Sequence, residues 1–64
     1  MGNKYIANPV TLGEQLRNRR LELGLLQKDV ARIIVVTEDS ITNWEKNRSK
    51  PMKRYHSKIL AFLK

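Results

Sequence analysis

The chain contains no cysteine and a single histidine, His56. No disulfide can staple it, no thiolate can hold a metal, and one histidine cannot make a metal site alone. No Ser/His/Asp or Cys/His set, metal cluster or glycine-rich phosphate loop is present. Enzymatic chemistry, a cofactor and a small-molecule ligand are therefore not expected. No apolar run approaches the roughly 20 residues of a membrane span, and the N-terminus, MGNKYIANPV, lacks the apolar core of a signal peptide. The membrane is not an expected partner, and the cytoplasm is the default location. Acids are also scarce, with six Asp+Glu against thirteen Lys+Arg, a net charge of +7. That imbalance favours nucleic acid, an anionic surface or an acidic protein, although it also serves simple solubility.

Sixty-four residues make one domain with a thin stability margin. Stability must come from compact helix packing, an oligomer, or both. Residues 1–10 show no clear period and read as a flexible arm, with Asn8-Pro9 marking a turn or an extended approach. Residues 11–64 form the domain proper.

Thr11-Leu12-Gly13-Glu14 fits a capping box and predicts a helix to about Leu23. Leu12, Leu16 and Leu23 lie near one face, with Arg20 on the same stripe and Arg17 and Arg19 solvated. Gly24 suits the left-handed residue that ends a helix. A second helix is expected over Gln27–Ile34, with Val30, Ala31 and Ile34 inward. Leu26 at its N-cap cannot cap, which leaves free N–H groups for water or an anion.

Val35-Val36 break this helix, and Thr37 caps the next. Glu38 and Asp39 fall in its first turn, where negative charge suits the helix dipole. Ile41 and Trp44, three apart, form its buried face, so Trp44 is a core residue and not a base-stacking one. Asn47 can end the helix in the left-handed conformation. Arg48-Ser49-Lys50-Pro51 is a basic loop. A last helix is expected over about Met52–Leu63, with Ile59, Leu60 and Leu63 inward, Tyr55 and Phe62 flanking, and His56 solvated.

Charge is partitioned along the chain. Residues 35–45 carry three acids and no base, whereas residues 46–64 carry Lys46, Arg48, Lys50, Lys53, Arg54, Lys58 and Lys64 and no acid. The basic cluster begins where the third helix ends, the place for phosphate contacts if that helix lay in a groove.

These residues resemble a known family. LGEQLRNRRLELGLLQKDVA, then VTEDSITNWEKNRSKP, then KILAFL are similar to the helix-turn-helix domain of Cro/C1-type phage repressors, the XRE family. The resemblance covers residues 12–63. It implies an all-α, lambda repressor-like bundle, here of four helices where the family has five, whose third helix enters the major groove of double-stranded DNA. By position it implies base reading by Glu38, Asp39 and Asn43, with Thr42 beside them as a further base-reading residue and Ser40 as a neighbour. It implies phosphate contacts from Gln27, Lys28, Ser40, Lys46, Asn47 and Arg48, and an ion pair between Arg20 and Glu45. A transcriptional regulator, a repressor or otherwise, acting as a homodimer on a two-fold-related site, is the implied function.

Chemistry favours the same roles. Asn43 can bind adenine through two hydrogen bonds, and Glu38 or Asp39 can accept from a cytosine amino group. The two acids equally suit a helix start that reads nothing. Two departures stand out. Val35 replaces the glycine usual in the turn, where a β-branched residue is costly, so the turn is either strained or differently shaped. Asn47 replaces another common glycine. The alternative function is a protein-interaction module, such as an antitoxin-like partner, with weak or no DNA binding. A membrane-active peptide is disfavoured because the helices lack one sustained amphipathic face.

Overall fold

The computed structural model describes residues 5–64 and is helical, with no strand among those residues. In chain order come α1 (Leu12–Glu22), α2 (Gln27–Ile34), α3 (Glu38–Glu45), a single 3-10 turn (Lys53–Tyr55) and α4 (His56–Leu63). Helix α3 lies against both α1 and α2, and α4 packs on α1.

Local chemistry sets the helix starts. The Thr11 hydroxyl accepts from the Glu14 N–H at 3.1 Å, and the Glu14 carboxylate accepts from the Thr11 N–H at 3.4 Å. At α3, the Thr37 hydroxyl accepts from the Ser40 N–H at 3.2 Å. At α2, Leu26 offers no side-chain cap, but Asp29 supplies half of one by accepting the Leu26 N–H at 2.8 Å.

Three helices end alike, on a left-handed residue. Gly24 has φ 69, Val35 φ 66 and Asn47 φ 60. In each case the next N–H reaches back five residues: Leu25 to the Arg20 carbonyl, Val36 to Ala31 and Arg48 to Asn43. This closes the helix end with a Schellman-type bond. Val35 therefore stands in the left-handed conformation expected of a glycine and takes the strain, because its Cβ crowds the backbone in that region. Its side chain is 71% exposed, so burial returns little for that cost.

The core is small. Leu16 of α1, Val30, Ala31 and Ile34 of α2, Ile41 and Trp44 of α3, and Ile59 of α4 are buried. Leu12, Leu25, Val36, Tyr55, Phe62 and Leu63 pack around them. The Trp44 and Tyr55 rings meet at 5.6 Å and 47°. Fully burying an aliphatic side chain is worth roughly 1.5–3 kcal/mol, so a handful of such residues supports the domain. The buried face of α1 is Gly13, Leu16 and Arg20, with only one large apolar side chain. Gly13 compensates by letting α1 touch the end of α3: a Cβ on Gly13 would overlap the Trp44 carbonyl.

Several expectations are corrected. Leu23 is 47% exposed, because α1 stops at Glu22 and the chain turns away at Gly24. The last α-helix starts at His56, not Met52. Lys53 and Arg54 bring two cations and no acid to its approach, the wrong charge for a helix start, and the chain forms a 3-10 turn there. Leu60 is 50% exposed, since it stands about 100° around the helix from Ile59, and Phe62 with Leu63 completes the inward stripe. His56 is half-buried, its Nε2 lying 3.2 Å from the Pro51 carbonyl. Arg17 and Arg19 are engaged and not merely solvated: Arg17 reaches Glu45, and Arg19 bonds Glu22 and the Lys64 carbonyl.

The arm read over residues 1–10 lies partly outside the described residues. In the described part, Ile6 exchanges two 2.8 Å hydrogen bonds with the Asn18 side chain, and the Val10 N–H donates to Glu14.

Two substitutions test these backbone arguments by urea and thermal denaturation. Gly13→Ala forces a methyl into the Trp44 carbonyl and should cost about 3 kcal/mol; a loss within error would mean the two helices can part freely. Val35→Gly removes a left-handed penalty of about 1–2 kcal/mol while adding unfolded-state freedom of about 0.5–1 kcal/mol. A net gain of about 1 kcal/mol is expected, a rise of roughly 4–8 °C in Tm. A lower Tm would show that the valine side chain contributes more than its strain costs.

Candidate nucleic-acid interface

The site is built on one carboxylate. Glu45, in the last turn of α3, has a fully buried side chain. Arg20 of α1 donates to it twice, from Nε at 2.7 Å and from Nη2 at 3.0 Å. Gln27 of α2 donates from Nε2 at 3.0 Å, and Arg17 approaches to 3.6 Å. The third Arg20 nitrogen, Nη1, donates to the Leu25 carbonyl at 3.0 Å. A buried charge is tolerable only when its partners are this complete. The result is that α1, α2, their connection and α3 are tied at one point.

Gln27 extends the network outward. Its Oε1 accepts from the Thr42 hydroxyl at 2.8 Å, so the start of α2 is bonded to the middle of α3. Thr42 and Gln27 are both half-buried. They therefore fix the angle between the two helices, and Gln27 retains one amide hydrogen outside this network.

On α3, Ile41, Trp44 and Glu45 face inward. Asp39, Asn43 and Lys46, at i, i+4 and i+7, fall on the opposite stripe. Asp39 and Lys46 are exposed, Asn43 is half-buried, and the Asn43 amide makes no hydrogen bond among the described residues. Glu38 is exposed beside Asp39 at the positive end of the helix dipole. Ser40 is half-buried and is spent locally, its hydroxyl 3.0 Å from that of Thr37.

Lys28, Lys46 and Arg48 are exposed. Lys28 sits on the first turn of α2, and the other two flank the end of α3. Asn47 stands between them, but its side chain turns back to α1. Its Oδ1 accepts from the Thr11 hydroxyl at 2.8 Å and its Nδ2 donates to Glu14 at 2.7 Å. The Glu14 carboxyl is held below its ordinary value of 4.5, chiefly by the Val10 N–H, then by the Asn47 amide and the Thr11 N–H.

Gln27 and Thr42 stand 15 positions apart, and Glu14 and Asn47 stand 33 apart, so both bonds are hidden from a linear reading. The capping box shows that Glu14 is used at its own helix start; nothing in its spacing points to its second oxygen. The convergence of Arg17 as well as Arg20 on Glu45 is likewise absent from the pattern, because Arg17 lies off the buried stripe.

Among the described residues no group of His, Cys, Asp or Glu side chains is arranged to hold a metal ion, and no helix is long and apolar enough to cross a membrane. A family model described as helix-turn-helix matches residues 16–64. No curated protein and no solved structure gave a significant match.

Glu45→Gln would keep the shape and remove the charge. It leaves a buried guanidinium facing an amide, and breaking such a pair costs about 3–5 kcal/mol. Chemical denaturation should show a loss of that size. A loss under about 1 kcal/mol, the range of surface pairs, would place the pair effectively in solvent.

Proposed function

The chain belongs to the Cro/C1-type helix-turn-helix family, a class of DNA-binding regulators, and from that premise we propose that it binds double-stranded DNA sequence-specifically as a small transcriptional regulator, with α3 in the major groove. The observation that carries this reading is the outward stripe of α3. Asp39 and Asn43, with Lys46 at the C-cap, project from a helix whose opposite face is buried and whose orientation is held by Glu45. A recognition helix needs that combination, because base reading requires hydrogen-bonding groups held in fixed register.

In this reading Asn43 is the principal base reader, pairing with adenine through its carbonyl and amino groups. Asp39 and Glu38, at the tip, accept from cytosine amino groups and repel phosphates in any wrong docking. Thr42 supports the reading by holding Gln27. Affinity comes from phosphate contacts on two sides of α3: Gln27 and Lys28 at the start of α2, and Lys46 with Arg48 beyond α3, with Ser40 and Asn47 as polar neighbours. Two copies on a two-fold-related site would place their recognition helices about one DNA turn, roughly 34 Å, apart.

The test is selection of duplexes from a random pool, followed by the same selection with Asn43→Ala. The wild type should yield a consensus, and Asn43→Ala should relax it at one base pair, a change of about 1–3 kcal/mol in discrimination. Binding should weaken steeply with salt, as phosphate contacts demand. A pool without consensus, or one unchanged by Asn43→Ala, rejects the base-reading assignment. Association with little salt dependence would favour a protein partner in place of DNA.

A further inference from the structure

We propose that Glu14, remote in sequence from every DNA-facing residue, is a positioning residue for DNA binding: through Asn47 it clamps the Lys46–Arg48 loop to the start of α1, so that both cations meet the backbone in fixed register. The proposal rests on the DNA-binding reading above.

The loop is exposed from Lys46 through Lys50. Its backbone is committed to closing α3: the N–H groups of Lys46, Asn47 and Arg48 donate to the carbonyls of Thr42, Trp44 and Asn43. Those bonds shape the loop but do not fasten it to the rest of the domain. Among the described residues, the side-chain hydrogen bonds that do so are the two that Asn47 makes to Thr11 and Glu14. Asparagine tolerates the left-handed conformation without outside help, so the two bonds are not needed to hold φ 60. Their effect is to lock the loop against α1, directly beside the point where Gly13 brings α1 onto the Trp44 carbonyl. Lys46 and Arg48 are the immediate neighbours of the clamped residue.

The Glu14 carboxylate is suited to this task and glutamine is not. Three donors converge on it: the Val10 N–H at 2.9 Å, the Thr11 N–H at 3.4 Å and Asn47 Nδ2 at 2.7 Å. Together they keep it in its charged, acceptor-only form at neutral pH. A glutamine has one acceptor oxygen, so with the Asn47 amide held in its orientation by the Thr11 hydroxyl the glutamine NH2 group faces a donor either way round. By Coulomb's law alone, a carboxylate next to a phosphate-binding loop opposes DNA binding, and removing it should tighten the complex. The clamp predicts the opposite sign, which separates the two effects.

The experiment is fluorescence-anisotropy titration of labelled duplex carrying the consensus selected by the wild-type protein, over a range of salt. Three variants of the full chain are compared after circular dichroism confirms folding. Glu14→Gln should weaken binding about fivefold and reduce the salt slope by about 1, the signature of a lost phosphate contact, with the selected consensus unchanged. Glu14→Gln combined with Asn47→Asp should restore affinity and slope. In that double variant the introduced glutamine accepts the two backbone N–H groups and donates to the introduced aspartate. The aspartate still accepts from Thr11, and the net charge equals that of the wild type. Asn47→Gly, which keeps the left-handed backbone, should match Glu14→Gln and carries the test if Glu14→Gln fails to fold. Unchanged or tighter binding by the single variants, or a folded double variant without recovery, overturns the clamp while leaving the DNA reading intact. A wild type that binds no duplex overturns both.

Discussion

The Glu45 carboxylate receives donors from α1 and α2 while sitting on α3, and the rest of the domain is arranged around keeping that acceptor satisfied. A buried pair of this kind adds little net stability compared with apolar packing, because both charges must leave water. Its value lies in what it forbids. An apolar core tolerates sliding and rotation of one helix on another, whereas several donors converging on two oxygens do not. In a domain whose core is a few aliphatic side chains and one tryptophan, that directionality supplies the rigidity that the proposed base reading by α3 would need.

The same economy explains α1. With Leu16 as its one large buried apolar side chain, the helix is held by three different devices along its length. Gly13 brings backbone against backbone at the start, Leu16 packs in the middle, and Arg20 ends in the ion pair. Arg19 then ties the far side to the end of α4. Such an arrangement substitutes geometry for buried area, and it gathers several constraints at the C-terminal end of α3. The Trp44 carbonyl, the Glu45 side chain and the Asn47 loop all meet α1 within one turn of helix.

How much of this is legible in the chain depends on the range of the interaction. Capping, periodicity and turn residues act over a few positions, so the bounds of α2, the caps at Thr11 and Thr37 and the left-handed residues at Gly24 and Asn47 follow from local chemistry. Val35 is the informative exception. Local preference opposes a left-handed valine, leaving open whether the turn is strained or reshaped; packing of α2 against α3 decides for strain. Tertiary context also overrides periodicity at the other end, where Leu60 follows the apolar pattern yet faces solvent, and where two cations convert the expected first turn of the last helix into a 3-10 turn. At the candidate site, residue types show what Asn43 or Lys46 is able to contact. They do not show that Gln27 and Thr42 are bonded to one another, or that the Asn47 amide faces inward, because those facts depend on partners distant in the chain.

The partition of charge gives the interface its logic. The tip of α3 carries Glu38 and Asp39, and the cations stand beyond the helix end and at the start of α2. In the proposed complex, discrimination and attraction therefore fall to different residues on different elements. Phosphate attraction is strong, long-ranged and blind to sequence; base contacts are short-ranged and demand a fixed register. A protein that separates them must transmit position from one set to the other through rigid matter. Here the route is short: the loop bearing Lys46 and Arg48 joins directly to α3, is fastened to α1 through Asn47, and α1 is fastened back to α3 through Arg20 and Glu45. In the proposed complex, phosphates held by the loop would thereby add affinity in the same register that the Glu45 network gives Asn43. The acids at the tip add a cost to any docking that places the helix start near the backbone in place of the groove.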